Sequence, residues 1–132
     1  MELNQLIKTG LTREESFPVT EENAALHVGS GSSPVLATPW MIAFMERVSH
    51  HLLAEYLNQD ETSVGVYLEV KHLAPTPVGG SVRVQVQVTE VSGNQVTFNV
   101  KAWDHVELVG EGVHRRAVID EARFLRRVKA KQ

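Results

Sequence analysis

From Ser81 to Glu90 the chain alternates strictly, with Val82, Val84, Val86 and Val88 at every second position and Ser, Arg, Gln, Gln and Thr between them. That is the two-residue period of a strand with one apolar face. "VSGNQ" then predicts a hairpin turn with Gly93-Asn94 at its tip, and Val96, Phe98, Val100 and Ala102 continue the pattern on the return strand. Two further strands are expected. One runs over about Val106–Ile119 and contains Gly110 and Gly112; the other lies in "VGVYLEVKH", where Val64, Val66, Leu68 and Val70 form one row ending in His72. In that reading Gly65, Tyr67, Glu69 and Lys71 take the opposite face. Leu11–Val19 predicts a short strand or extended arm, and residues 27–34, "HVGSGSSP", a flexible loop. One segment has a different period. In Ala37–Leu57, Met41, Met45, Val48, Leu52 and Tyr56 step by four, three, four and four, and Ile42, Phe44 and Leu53 widen the apolar sector. This predicts the one long helix, with Thr38 as N-cap and Pro39 where a missing N–H costs nothing. The tail, 120–132, is polar and basic and is expected to be a short helix.

A short strand, a loop, a long apolar helix and four strands joined by short turns predict an α+β domain. An antiparallel sheet with one apolar face wraps the helix, which is the hotdog architecture. With 132 residues the chain is one domain, 1–132, large enough to bury a core without cross-links. The absence of cysteine excludes disulfides, thiolate metal sites and a cysteine nucleophile. A net charge of −3, no signal-like N-terminus and no membrane-length apolar run set the expectation of a cytoplasmic protein with no nucleic-acid or membrane partner.

Few residues carry candidate chemistry. Between Val35 and Leu53 only Glu46 and Arg47 are formally charged. Glu46 on a wrapped helix would be partly desolvated, which suits a general base; on an exposed strip it would pair with a neighbouring cation. His72 closes an apolar strand face beside a Pro-Thr-Pro turn, where it is either a satisfied core histidine or a proton-transfer group. The Thr38 hydroxyl either caps the helix or serves the site. "GSGSS" lacks the Lys-Ser/Thr of a phosphate loop, and no nucleophile elbow is present. His27, His50, His51, His105 and His114 lack the pairing of a zinc-hydrolase helix, so no metal is expected. Arg123, Arg126, Arg127, Lys129 and Lys131 form a solvated basic face or contact phosphates.

"ATPWMIAFMER", "VGVYLEVKHLAPTPVGG" and "GEGVHRRAVI" together resemble the fluoroacetyl-CoA thioesterase family of hotdog proteins, over roughly Val35–Ile119. The eight residues from Thr38 to Glu46 and the twenty-six from Glu46 to His72 match that family's Thr/Glu/His triad. The resemblance implies hydrolysis of a short-chain acyl-CoA thioester by a homodimer or a dimer of dimers, with the site between subunits. Thr38, Glu46 and His72 are then catalytic, Gly65 lies beside the thioester and Arg116 near it. No cofactor is implied, since coenzyme A is part of the substrate. The resemblance departs at "HVGSGSSP", where the fluoroacetyl-specific enzyme carries aromatic gate residues. A Gly/Ser entrance implies a more open, less selective pocket. The alternatives are an acyl-CoA-binding hotdog protein without catalysis and an acyl-CoA hydratase or dehydratase, whose usual Asp/His motif is not found.

Overall fold

The computed structural model describes residues 2–132. Five antiparallel strands, β1 (Thr12–Pro18), β2 (Glu61–His72), β3 (Ser81–Ser92), β4 (Gln95–Trp103) and β5 (Leu108–Asp120), form one sheet in the order β1-β3-β4-β5-β2. β3, β4 and β5 follow one another through short turns, and Gly93 (φ 59°) takes the left-handed conformation at the predicted hairpin tip. β2 crosses the sheet to pair with β5, so one of its edges is left open.

Four α-helices accompany the sheet, three of them short. α1 (Leu3–Leu6), a turn the hydropathy pattern does not announce, buries little. α2 (Ala25–Val28) occupies the start of the predicted loop and stops at Gly29 (φ 89°). α3 (Thr38–Ala54) is the predicted helix, three residues shorter at its C-terminus. α4 (Glu121–Lys129) is the basic tail, capped by the Asp120 carboxylate, which accepts from the Arg123 N–H.

α3 packs on the sheet with Met41, Met45, Val48, Leu52 and Leu53 at 0–1% exposure and Phe44 beside them. Val82, Val84, Val86 and Val88 of β3 and Val96, Phe98, Val100 and Ala102 of β4 lie at 0–1% exposure beneath it. Regular alternation therefore delivers the core as expected. The other side of α3 is less covered: Ile42, Ala43, Glu46 and His50, which share one face, are only half-buried.

β2 departs from the sequence expectation. Gly65 pairs with Arg116 but Tyr67 pairs with Arg115, so Val66 is an extra residue in a β-bulge. One inserted residue exchanges the faces of everything after it. Ser63 and Gly65, before the bulge, share the helix-facing side with Val70 and His72, after it. The continuous row from Val64 to His72 does not exist, and Val66 and Leu68 are 49% and 39% exposed.

Candidate active site

Thr38 is the first residue of α3, not its cap. Ala37 takes the capping position with extended backbone and no side-chain bond, and Pro39 follows in the first turn. The capping expectation fails because the Thr38 hydroxyl has another partner, His72 Nδ1 at 2.7 Å. His72 reaches it from the end of β2, opposite Gly110. A Cβ on Gly110 would collide with the Met41 sulfur, so the glycine leaves room for the Met41 side chain between the helix start and the sheet. Burial pushes the His72 imidazole below its ordinary value, with the Ala74 backbone opposing. Its Nε2 is buried without a hydrogen-bond partner among the described residues. An open cleft of ≈ 330 Å³ borders the pair, lined also by Val35, Ala37, Leu73 and Pro75.

A second group lies farther along α3. Eight residues separate Glu46 from Thr38, about 12 Å of axial rise, and no hydrogen bond joins the two groups. The Glu46 carboxylate is 44% exposed and its Oε2 lies 3.6 Å from Arg116 Nη1. The partly desolvated setting expected for it is thus only half-present in a single chain: β2 and β5 approach from below and the rest of the carboxylate stays open. Gly65 sits directly below, where a Cβ would stand 2.7 Å from Glu46 Oε2 and 3.2 Å from His114 Cε1.

Arg116 is 6% exposed and held from several directions. Its Nε donates to Ser63 Oγ at 2.9 Å, its Nη2 to the Ser63 carbonyl at 3.0 Å, and its Nη1 meets His114 Nε2 at 3.1 Å. Burial pulls the guanidinium below its ordinary value, and the Glu46 charge opposes this. His114 is 1% exposed, and its Nδ1 lies 3.0 Å from the Tyr67 carbonyl. Burial pushes its imidazole down; the Tyr67 bond and the Glu46 charge oppose, while the Arg116 charge adds to it.

All five sequence-derived residues thus face α3 or belong to it, in two subsets: Thr38 with His72, and Glu46 with Gly65 and Arg116. Sequence reasoning missed His114 and Ser63. Their signal is faint: His114 stands two residues from Arg116 on one strand, hence on the same face, but only the β2 bulge brings Ser63 and Gly65 to them. Among the described residues no three His, Asp or Glu are grouped to hold a metal ion, and no helix is long and apolar enough to cross a membrane.

Comparison with known proteins bears on the fold and the family. A relative from Streptantibioticus cattleyicolor named fluoroacetyl-CoA thioesterase is 37% identical over 97 residues, covering 74% of this chain and 70% of its own. A solved structure of the fluoroacetyl-CoA thioesterase FlK superposes with a TM-score of 0.88 at 32% identity, over 96% of this chain and 98% of that one. A hot-dog-like protein from Thermanaerovibrio acidaminovorans superposes with a TM-score of 0.92 at 27% identity, over 99% and 97%. The fold is accordingly hotdog-like, and the relatives named as thioesterases are thioester hydrolases. Residues 19–122 match the family described as FlK, fluoroacetyl-CoA-specific thioesterase, and the chain belongs to that family.

Proposed function

We propose that this protein hydrolyses short-chain acyl-CoA thioesters to the free acid and coenzyme A, with Thr38, Glu46 and His72 as catalytic residues at a homodimer interface. The observation that carries the reading is the 2.7 Å contact between Thr38 Oγ1 and His72 Nδ1, which leaves His72 Nε2 without a protein partner. An imidazole oriented through one nitrogen and free at the other can carry a proton to or from a reacting group. Glu46 supplies the attacking oxygen, either by taking a proton from a water that attacks the thioester carbon or by attacking that carbon itself to form an anhydride that water then hydrolyses to the free acid. The carbonyl oxygen takes up negative charge beside the Gly65 backbone, where no side chain intervenes. The C–S bond then breaks and the coenzyme A thiolate leaves, with His72 managing the proton.

The two subsets meet by dimerisation. β2 is an edge strand with Val66, Tyr67 and Leu68 39–49% exposed, a template for pairing with a second copy. Antiparallel pairing of two such edges about a two-fold axis near Leu68 sets the His72 end of one strand opposite the Gly65 stretch of the other. The same pairing covers the half-buried side of α3 and completes the desolvation of Glu46.

The pocket mouth favours breadth over selectivity. The segment before Thr38 carries Gly and Ser with no aromatic side chain, and discrimination of one methylene by an apolar pocket is worth only about 1–3 kcal/mol. Acetyl-CoA and somewhat longer acyl-CoAs are therefore expected substrates without strong preference for fluoroacetyl-CoA. The test follows free thiol release over an acyl-CoA panel, with Glu46→Gln beside the wild type. The expected result is turnover by the wild type and a loss of at least ~100-fold in the variant. Tight binding without thiol release would make the protein an acyl-CoA binder.

A further inference from the structure

The hydrogen bonds of His114 leave it one protonation state. Arginine has donors only, so the 3.1 Å contact requires His114 Nε2 to accept from Arg116 Nη1. The ring proton then sits on Nδ1 and is donated to the Tyr67 carbonyl at 3.0 Å. A doubly protonated ring would turn an N–H against an Arg116 N–H and set two cations side by side. Phe98, its cross-strand partner on β4, lies along the ring with centroids 6.4 Å apart.

Each of these bonds ends on something the reaction needs. Tyr67 and Gly65 flank the extra residue Val66, so holding the Tyr67 carbonyl inward holds the bulge that turns Gly65 toward Glu46. Arg116 is fixed by Ser63 through Nε and Nη2, and the His114 bond at Nη1 closes the remaining rotation of the guanidinium that stands 3.6 Å from Glu46.

We propose that His114 is a positioning residue: neutral and protonated on Nδ1, it ties the β2 bulge to Arg116 and thereby sets Gly65 and Glu46 in mutual register. This rests on the reading of Glu46 and Gly65 as the reacting end of the site. It assigns His114 more than bulk, since its two bonds end on the bulged strand beside Gly65 and on the guanidinium that faces Glu46.

Three variants separate the halves. His114→Phe keeps bulk and removes both bonds; His114→Gln keeps an acceptor near Nε2; His114→Asn keeps a donor near Nδ1. A misplacement of about 1 Å in a reacting group costs up to ~100-fold, so His114→Phe is expected to lose about that much in kcat with KM little changed, together with a thermal midpoint lowered by several degrees for the two buried groups left unpaired. Glutamine and asparagine should each recover part of the loss. A lowered midpoint with unchanged kcat, or a kcat loss that neither polar variant relieves, would overturn the proposal. Two readouts need no activity. Imidazole nitrogen-15 shifts of the wild type at neutral pH should report the Nδ1–H form, and a proton on Nε2 would overturn it. The Arg116 Nε–H should lose protection from solvent exchange in His114→Phe; unchanged protection counts against it. A wild type that releases thiol from no acyl-CoA sinks the functional reading instead, and the two nitrogen measurements still decide the role of His114.

Discussion

The Val82–Val88 stretch of β3 and the Ser63–His72 stretch of β2 belong to one sheet, with β4 and β5 between them. In β3 every second residue is valine at 0–1% exposure, and all four lie under α3. In β2 the alternation is interrupted at Val66, the helix-facing positions include Ser63, Gly65 and His72, and much of the strand lies open at the sheet edge. The first stretch is packing and nothing else. The second gives up packing for backbone approach, a bulge and polar groups, each of which costs stability in a core and gains only if chemistry uses it. Of these two stretches, the one that keeps its period holds the core and the one that breaks it carries candidate site residues.

Substitutions can break that contrast, and the largest effect is expected at the end of β2. His72→Ala removes the imidazole that Thr38 orients and should lower turnover by ~10²–10⁴-fold while the protein stays folded, as judged by steady-state kinetics alongside circular dichroism. Should it unfold instead, His72 belongs to the core.

Gly65→Ala is next. Its Cβ would stand 2.7 Å from Glu46 Oε2, the far end of a flexible side chain that can swing aside. The fold should tolerate this and the site should not, with kcat falling by up to ~100-fold and the thermal midpoint nearly unchanged.

Val86→Ala in β3 should do the reverse. Losing two buried methyl groups, at about 0.8 kcal/mol each plus a cavity contribution, should cost about 2 kcal/mol in denaturant titration with kcat per folded molecule retained. If Val86→Ala changes kcat, or Gly65→Ala changes only stability, the division of labour between the strands is wrong.

A milder effect is expected from pH. Burial holds the imidazoles of His50, His72 and His114 below the ordinary value, while the unfolded chain titrates near ~6.5. Between each folded value and that point the unfolded state binds more protons, so stability rises with pH through this window. The contribution is fully present above about pH 6.5 and is lost on acidification. Thermal midpoints measured from neutral to mildly acidic pH should fall by a few degrees; a flat profile would mean that these imidazoles are not buried neutral.

Much of this molecule could be read before folding it. The β3–β4 hairpin, its Gly93-Asn94 tip, the apolar stripe of α3 and the helical tail follow from local rules of period and turn chemistry. The five candidate site residues were also legible, from their resemblance to a family. Of the two readings open for Thr38 the cap fails, because Thr-Pro at a helix start says nothing of a histidine 34 residues away that takes the hydroxyl. Gly65 was assigned to the wrong face because alternation assumes an unbroken ladder. His114 and Ser63 carried almost no signal.

The sequence by itself determined the elements, their apolar faces and the residue types available for thioester chemistry, because hydrophobic period and turn chemistry act over a few neighbours along the chain. Only the tertiary structure decided that Val66 is inserted, that Gly65 therefore turns to Glu46, and that Arg116 and His114 stand beside them. Those outcomes depend on the register between β2 and β5, which pairs residues about fifty positions apart and is set by packing against α3 and by hydrogen bonds no local pattern encodes.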